Sequence, residues 1–441
     1  MRRDKLAELI AWKKSDSRKP LIIRGARQVG KTWLMQEFGR TQYAQTICLN
    51  FEQNKRLKTL FSDDFDIARV IVAIQAESGI TIRAEETLLI FDEIQAVPEA
   101  ITALKYFRED APQYHIVAAG SLLGMALHSN ISFPVGKVAF MDLHPLSFAE
   151  FLDAIGESRL ITLLNSGDWK LITAYKSKFI ERLRQYYYTG GMPEVVATFI
   201  LNHNFTEVRE IQKQILIAYE QDFSKHAPPE IVPRIRMLWN SIPAQLAKEN
   251  RKFIYGIIKE GSRAKDYEIA LAWLIDCNQV HKVHRVSKPS LPLKAYEDRS
   301  AFKLFLIDIG LLAAMCDISS KTLLEGNSIF TEFKGALTEQ FVFQQLNSTG
   351  EFVICYWAAE RSTAEVDFVV QHNDRIIPVE VKAEENLQAK SLKVYCDKFQ
   401  PGIAIRTSLS DFRHHDWLTN IPLYALSLLP FSNEQVTEGG R

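Results

Sequence analysis

The sequence predicts an α/β protein, and three features of the chain carry this prediction. Near the N-terminus, an apolar run at Leu21–Arg24 leads into a glycine-rich turn and then into a helical pattern. Short apolar strands, at 46–50, 88–92, 115–119 and 138–143, then alternate with helical segments. This alternation is typical of a parallel sheet that binds ligands beyond the C-terminal ends of its strands. From about residue 328, a second region rich in strands follows.

Length, charge and cysteine content bound the class of protein. At 441 residues the chain exceeds one ordinary hydrophobic core, so we expect about two to four domains. Its 53 basic and 53 acidic side chains balance, so binding to nucleic acid requires a local basic patch. The five cysteines are scattered, which indicates a reducing compartment. The longest apolar stretch contains Asp308 and the N-terminus does not resemble a signal peptide, so we expect a soluble cytoplasmic protein without a membrane partner.

The glycine-rich turn has the composition of a phosphate-binding loop. Residues 25–32 read G-x-x-x-x-G-K-T, and such a loop wraps phosphates with backbone N–H groups. Lys31 is placed to reach the β- and γ-phosphates, and the hydroxyl of Thr32 is a ligand for Mg²⁺. We therefore predict ATP and Mg²⁺ as cofactors. The predicted nucleotide-binding residues are Gly25, Ala26, Arg27, Gln28, Val29, Gly30, Lys31, Thr32, Trp33 and Asp92.

The apolar run at 88–92 ends in two acidic side chains. In nucleotide hydrolases with this loop, the first acid contacts Mg²⁺ and the second activates the attacking water. We therefore assign Thr32 and Asp92 to the metal, and Lys31 and Glu93 to catalysis. The alternative is that Asp92 and Glu93 only begin a helix. This requires that Lys31 has no role in phosphate binding either.

A polar residue follows the predicted strand at 115–119. In ATPases of the large ring-forming class, a residue at this place senses the γ-phosphate and helps to orient the water. Ser121 is the candidate for that catalytic role. Serine is also a routine N-cap for a helix, here at 122–127, so the sequence leaves both interpretations open.

Helical and extended patterns divide the chain into four predicted regions. Residues 1–150 form a nucleotide-binding core, and 151–227 read as a helical lid beside it. The proline-dense segment 225–233 marks a linker. Residues 228–320 read as three helical stretches and two strands, the outline of a winged helix. Basic side chains at 251–265 form a candidate contact with DNA. The alternatives are a solvated face, which is the more frequent reason for such a pattern, and a protein-contact module.

The fourth region, 325–435, contains carboxylates with the spacing of a metal-dependent nuclease. Strands predicted at 364–370 and 376–382 form a hairpin on which Asp367, Glu380 and Lys382 meet. The two carboxylates are oxygen ligands for a divalent cation, and the lysine is placed to orient a water or to stabilise a phosphorane. Glu339, on the preceding helix, completes the predicted metal set. Ordinary strands that alternate charge outward and valine inward would give the same pattern.

Taken in order, these motifs resemble one family of prokaryotic proteins. The matching segments are 24–32, 91–95, 143–151, 190–194, 263–268, 308–312, 356–357, 365–368 and 378–383. The chain is similar to AAA-type (AAA+) P-loop ATPases that carry a C-terminal DUF4143 domain. The resemblance implies a P-loop ATPase sheet with a helical lid, a winged-helix middle region and a restriction-endonuclease-like α/β domain at the end. It also implies ATP binding and hydrolysis.

One position departs from the pattern of that family. Such proteins usually have Gly-Arg before the fifth strand, where this chain has Gly136 and Lys137. If this side chain stabilises charge in the transition state, an ammonium does so less well than a guanidinium, and we expect slow turnover. Other cationic candidates are Arg24, Arg27 and Arg108.

Two functions agree with these motifs. The first is an ATP-driven protein that handles nucleic acid, with DNA bound by the winged-helix and C-terminal regions. The second is an ATP-gated protein-interaction switch whose nuclease-like domain is catalytically inactive. Both require the phosphate loop, and they diverge at Asp367, Glu380 and Lys382. Rings are common among such ATPases, but the uncertain cationic residue leaves a homo-oligomer, a dimer and a monomer open.

Overall fold

The protein is described by a computed structural model that covers most of the chain. The described residues are 1–53, 55–61, 65–120, 133–247, 252–325, 331–360, 362–385 and 388–429. They form two compact units, which are treated separately below. The N-terminal unit comprises Arg2–His144 with Asp276–Gln279, and the C-terminal unit comprises Pro145–Ile275 and the chain from Val280 onward.

The N-terminal unit alternates strands and helices as predicted. Its strands are β1 Leu21–Arg24, β2 Gln45–Asn50, β3 Thr87–Asp92, β4 His115–Ala119 and β5 Ala139–Asp142. Its helices are α1 Lys5–Lys13, α2 Lys31–Gln42, α3 Lys55–Leu60, α4 Ile67–Ser78 and α5 Pro98–Asp110, with a 3₁₀ turn at Ile94–Ala96. The predicted strands all lie within two residues of the observed ones, since each is a short apolar run.

The five strands form one parallel sheet in the order β2-β3-β4-β1-β5. This confirms the predicted α/β class and is typical of P-loop nucleotide-binding proteins. Strand β1 lies between β4 and β5, so the loop that follows it opens at the C-terminal edge of the sheet. Asp92 ends the neighbouring β3 and therefore reaches the same edge, because all strands run in one direction.

Local sequence explains how the helices of this unit begin and pack. The carboxylate of Asp66 accepts hydrogen bonds from the backbone N–H groups of Ala68 and Arg69, which caps α4. Proline at position 98 is the first residue of α5, where its missing N–H costs nothing. Alternate residues of β3, such as Phe91, join one buried cluster with residues of α4 and α5. This packing fixes the strand that ends in Asp92.

The C-terminal unit begins with a run of helices. They are α6 Phe148–Ala154, α7 Ser158–Asn165, α8 Trp169–Ala174, α9 Lys176–Thr189, α10 Pro193–Asn202, α11 Phe205–His226, α12 Val232–Leu246, α13 Tyr255–Ile258 and α14 Ala264–Asp276. The helical pattern predicted for 151–225 agrees with α6–α11, and the proline-dense segment lies between α11 and α12. Ser147 and Glu150 form a capping box at the start of α6. The role of these helices as a lid stays a prediction.

The remaining elements build a mixed sheet. The helices are α15 Ile309–Met315, α16 Ser320–Glu325, α17 Thr331–Thr349 and α18 Lys390–Phe399, with 3₁₀ segments at Leu293–Tyr296 and Leu423–Leu428. The strands are β6 Val280–Val286, β7 Glu297–Leu306, β8 Val353–Ala358, β9 Glu365–His372, β10 Arg375–Val381, β11 Ile405–Ser408, β12 Arg413–His415 and β13 Leu418–Pro422. Their order is β12-β13-β11-β10-β9-β8-β6-β7.

This sheet crosses the boundary predicted near residues 320–325. Strands β6 and β7 form the hairpin of the predicted winged-helix region, and β6 pairs in parallel with β8 of the predicted nuclease-like domain. The two predicted regions therefore share one sheet, although α12–α14 and the hairpin follow the expected order of a winged helix. Within the described ranges, the structure has no helix that is both long and apolar enough to cross a membrane.

A buried carboxylate ties three helical segments of this unit together. Asp308 is fully buried, and its oxygens accept hydrogen bonds from the N–H of Gly191 at 2.7 Å and of Leu311 at 3.0 Å. The side-chain amide of Gln344 donates to it at 3.1 Å. The motifs around 190–194 and 308–312 are therefore parts of one structural contact.

Candidate functional site

The phosphate-binding loop joins β1 to α2. Gly25 follows the strand directly and has a φ of +150°. A Cβ atom at this position would lie 2.3 Å from the carbonyl oxygen of Leu143, so a larger residue cannot keep this path of the chain. Helix α2 begins at Lys31, which directs its first N–H groups and the positive end of its dipole toward the loop. The loop thus has the setting that the motif requires.

Lys31 is buried within the loop that it serves. Its ammonium group donates hydrogen bonds to the carbonyl oxygens of Gly25, at 2.9 Å, and Ala26, at 2.7 Å. Burial lowers the pKa of this lysine to about 8, although the charges of Glu93 and Asp92 oppose the shift. The lysine is held at the phosphate-binding loop, as the motif predicts.

Thr32 and Asp92 meet at the edge of the sheet. The hydroxyl of Thr32 donates a hydrogen bond of 2.8 Å to Oδ2 of Asp92. Burial raises the pKa of the Asp92 carboxyl group, and the bond from Thr32 partly offsets that rise. Two hard oxygen donors thus lie together beside Lys31, and they fit the ligand preference of Mg²⁺.

Glu93 occupies a special position directly after β3. Its backbone adopts a left-handed conformation with a φ of +51°. Its N–H donates to Oδ1 of Asp92 at 3.2 Å, and the amide of Gln95 donates to its Oε2 at 2.6 Å. The carboxylate is therefore oriented by a neighbour that sequence analysis did not single out.

The other predicted residues of this site differ in their surroundings. Ala26 and Val29 are fully buried, whereas the side chain of Trp33 is exposed. Ser121 lies outside the described residues, so its role stays a prediction. Among the cationic candidates, Arg24 forms a bidentate pair with Asp142, with both distances 2.8 Å, and Lys137 pairs with Glu109 at 2.8 Å.

Arg3 is a contact of the loop that sequence analysis missed. Its side chain is 4% exposed, and Nη1 donates a hydrogen bond of 2.9 Å to the carbonyl oxygen of Val29. Nη2 donates to the carbonyl oxygen of His144 at 2.5 Å. The guanidinium therefore joins the loop to the chain after β5. No motif marks it, because the basic residues near the start of the chain look like ordinary surface charges.

In the C-terminal unit, the predicted hairpin is β9–β10. Oδ2 of Asp367 on β9 accepts a hydrogen bond of 2.7 Å from the N–H of Val381. The ammonium of Lys382, directly after β10, pairs with Oε1 of Glu380 at 2.7 Å. The structure therefore brings Asp367, Glu380 and Lys382 together, as the spacing predicts.

A second lysine, Lys303 of β7, lies among the carboxylates. It is fully buried, and its Nζ is 2.5 Å from Oε1 of Glu365, 3.4 Å from Oε2 of Glu339 and 4.0 Å from Oδ1 of Asp367. The ring of Tyr356 faces the same ammonium at 5.1 Å from its centroid. A lysine within the apolar run 301–306 was the signal available in the sequence, since such a charge needs a partner.

The predicted metal ligands of this unit lie close to ammonium groups. Among the residues that the structure describes, no set of three or more His, Cys, Asp or Glu side chains is placed to hold a metal ion. Binding of one cation by Glu339, Asp367 and Glu380 stays a prediction. Two ammonium groups contact these carboxylates, because Lys303 lies beside Glu339 and Asp367, whereas Lys382 pairs with Glu380.

Glu339, Asp367, Glu380 and Lys382 line a cavity of about 1020 Å³. Its wall carries basic residues, Lys252, Arg285 and Lys382, as well as acidic ones. Burial, together with the charge of Asp367, raises the pKa of Glu380 to about 7. Oε2 of Glu380 is buried and has no hydrogen-bond partner within the described part of the chain. The cavity is thus a polar, mixed-charge pocket.

Comparison with known proteins identifies three segments. Residues 17–152 match the profile described as AAA domain, and residues 334–426 match a domain of unknown function, DUF4143. Residues 180–322, between them, match another domain of unknown function, DUF8612. No curated protein sequence matches the chain.

Two solved structures are similar to part of the chain. A Walker-type ATPase of Pyrococcus abyssi has 14% identity and a TM-score of 0.46, and the match covers 71% of this chain and 95% of that one. The Orc1 protein of Aeropyrum pernix, in a complex with DNA, has 11% identity and a TM-score of 0.29, with 72% and 93% covered.

Proposed function

We propose that this chain, which joins an AAA-type ATPase domain to a C-terminal DUF4143 domain, binds ATP with Mg²⁺ and hydrolyses it at the N-terminal unit. The observation that carries the proposal is the contact of 2.8 Å between Thr32 and Asp92, beside the buried ammonium of Lys31. Lys31 and Thr32 begin α2, whereas Asp92 ends β3, so the fold brings together residues that are 60 positions apart in the sequence.

Each side chain has a defined task in the proposed reaction. Thr32 and Asp92 hold Mg²⁺, which supplies charge neutralisation to the phosphates when bound. Lys31 exchanges its carbonyl contacts at Gly25 and Ala26 for phosphate oxygens. This exchange is favourable, because a buried ammonium gains more from an anionic oxygen than from a neutral carbonyl.

Glu93 is the proposed general base. Its carboxylate accepts the proton of the attacking water, and the bond from Gln95 limits its orientations. Ser121 remains the proposed γ-phosphate sensor. The expectation of slow turnover rests on Lys137 in place of an arginine, because an ammonium cannot make the paired bonds of a guanidinium.

Hydrolysis is tested with a charge-neutral replacement of the base. Glu93→Gln keeps the size of the side chain, so we expect ATP to bind normally and to be hydrolysed at least about tenfold more slowly. Glu86→Gln is the matched control, because Glu86 lies in the same unit with an exposed side chain. Equal turnover in Glu93→Gln and Glu86→Gln would remove Glu93 from the mechanism.

For the C-terminal unit we propose binding of nucleic acid. The basic side chains Lys252, Arg285 and Lys382 line the cavity of about 1020 Å³ and supply the positive charge that phosphate groups require. Exposed Lys259, Arg263 and Lys265 supply further positive charge on α14 and the turn before it. Affinity for DNA should therefore fall steeply with salt. A gel-shift titration that is insensitive to salt, or that gives no shift, would contradict this role.

A second function, an ATP-gated protein-interaction switch, is favoured by the position of Lys303. In this function, the C-terminal domain binds a partner without cleaving nucleic acid, because the carboxylates are already paired with ammonium groups. The two functions are distinguished by incubating single- and double-stranded DNA with the wild type and with Asp367→Ala in Mg²⁺ or Mn²⁺. Equal background cleavage supports the switch, whereas loss of cleavage only in Asp367→Ala supports a nuclease.

A further inference from the structure

We propose that the ammonium of Lys303 is the resident cation of the C-terminal carboxylate cluster, so that this pocket works without a divalent metal ion. The cluster consists of Glu339, Glu365, Asp367 and Glu380. The inference rests on the binding role proposed for the C-terminal unit and is independent of ATP hydrolysis.

The position of Lys303 supports this assignment. Its Nζ lies 2.5 Å from Glu365 and 3.4 Å from Glu339, with Asp367 at 4.0 Å. The ammonium therefore occupies space between these three carboxylates that an ion bound to all of them would need. It also has no exposed surface through which to leave.

Electrostatic repulsion from Lys303 opposes the binding of a second cation in the cluster. An ion placed among these carboxylates would lie within a few ångströms of a buried ammonium, where the repulsion is poorly screened. Displacing Lys303 would in turn leave a positive charge without its partners in the interior of the unit, which is costly. Lysine and divalent ion are therefore alternatives, and the fold supplies the lysine.

The cluster also requires contact between two segments of the chain that match different domains. Lys303 belongs to the segment that matches DUF8612, whereas the four carboxylates belong to the segment that matches DUF4143. Strand β7 reaches them because β6 pairs in parallel with β8, with His284 opposite Cys355. The cluster is thus completed by a strand from outside the DUF4143 segment.

One carboxylate oxygen of the cluster can accept a further hydrogen bond or bind a cation. Oε2 of Glu380 lines the cavity, is buried, and has no hydrogen-bond partner within the described residues. In a chain without the ammonium of Lys303, this oxygen and those of Asp367 would become available to a metal ion together. The proposal therefore makes a direct prediction about metal binding.

The test measures Mn²⁺ binding to the full-length chain without nucleotide, from the electron paramagnetic resonance signal of free Mn²⁺. All proteins carry Asp92→Asn, which removes the carboxylate of the N-terminal metal site. The variants are Lys303→Met, which removes the charge at similar length, and Lys282→Met as the matched control on the same hairpin. Each is also measured with Asp367→Asn.

We expect the parent and Lys282→Met to show no Mn²⁺ binding that depends on Asp367. Lys303→Met should gain one Mn²⁺ site per chain, at least about tenfold tighter than any in the control, and Asp367→Asn should abolish it. Binding of Mn²⁺ to the parent that is lost with Asp367→Asn would overturn the proposal. So would a folded Lys303→Met protein that gains no site.

The design also covers failure of a variant to fold. Circular dichroism and thermal unfolding establish whether Lys303→Met is folded, and Lys303→Gln replaces it if it is not. The parent chain decides the central point on its own, since Asp367-dependent Mn²⁺ binding there contradicts the proposal. Metal binding is measured without ATP, so this result and the ATP-hydrolysis test can fail separately.

Discussion

The guanidinium group of Arg3 donates a hydrogen bond of 2.9 Å to the carbonyl oxygen of Val29 within the phosphate-binding loop. The same group holds His144 after β5 through a bond of 2.5 Å. The N-terminal segment therefore restrains the loop at Val29, within the segment proposed to bind the phosphates. This contact suggests that the geometry of the loop depends on a residue outside the motif.

The first prediction concerns Arg3. Arg3→Ala removes both bonds, and we expect ATP affinity to fall about tenfold and stability to fall by about 1–3 kcal/mol. Compared with Arg3→Ala, Arg3→Lys should restore stability more than ATP affinity. The reason is that an ammonium group cannot donate to both carbonyl oxygens in the geometry of the planar guanidinium. Calorimetric titration with ATP measures the affinity, and thermal unfolding measures the stability. Arg2→Ala, at an exposed side chain, is the control, and equal affinity in the two alanine variants would contradict the prediction.

The second prediction concerns the pH dependence of ATP binding. Burial lowers the pKa of Lys31 to about 8, and phosphate binding requires the charged form. Affinity should therefore be full below pH 8 and weaken as the pH rises, by up to about tenfold for each further unit. Dissociation constants at pH 7 and pH 9.5 test this, with Lys31→Arg as a variant that does not titrate in this range. Equal pH dependence of wild type and Lys31→Arg would contradict it.

The third prediction concerns Glu380 and stability. Burial and the charge of Asp367 raise the pKa of Glu380 to about 7 from its ordinary value of 4.5. Between these values the folded state binds more protons than the unfolded state, so stability falls as the pH rises through this window. Glu380→Gln keeps a neutral group, and we expect it to raise Tm at pH 8 by several degrees and to have little effect at pH 4.5.

Thermal unfolding at both pH values provides the measurement. Glu360→Gln is the control, because its side chain is exposed. If Glu380→Gln lowers Tm at pH 8, or if its effect is the same at both pH values, the assigned pKa of Glu380 is wrong.

The fourth prediction concerns Gly191. A Cβ atom there would lie 2.1 Å from the carbonyl oxygen of Leu146, and the N–H of Gly191 is bonded to buried Asp308 at 2.7 Å. Gly191→Ala must move the backbone and break this contact, so we expect a loss of about 2–4 kcal/mol. Gly402→Ala is the control, since no atom lies within 4 Å of its Cβ position. Similar urea denaturation midpoints for the two variants would contradict the prediction.

The parts of the fold that sequence could predict are local. The loop at 25–32 directly connects one strand to one helix, so its sequence motif is sufficient to locate it in the fold. Asp367 and Glu380 belong to one hairpin, whose register follows from alternation along adjacent strands. Each of these inferences needs only neighbours in the chain.

The contacts that escaped prediction are made between distant segments. Arg3 meets Val29 across 26 positions of the sequence, and Lys303 meets Glu339 across 36. Neither residue belongs to a periodic pattern or motif from which its partner could be identified. The spacing of the carboxylates in the sequence likewise does not show that a lysine from another strand lies beside them.

The central claim, that the N-terminal loop grips ATP through Lys31, is tested most directly by equilibrium binding of ATP in the presence of Mg²⁺. Isothermal titration should give one ATP per chain for the wild type and for Lys14→Ala, an exposed control. Lys31→Ala should bind at least about a hundredfold more weakly, since it removes the charge that faces the phosphates. Absence of ATP binding in the wild type, or equal affinity in Lys31→Ala, would contradict the account.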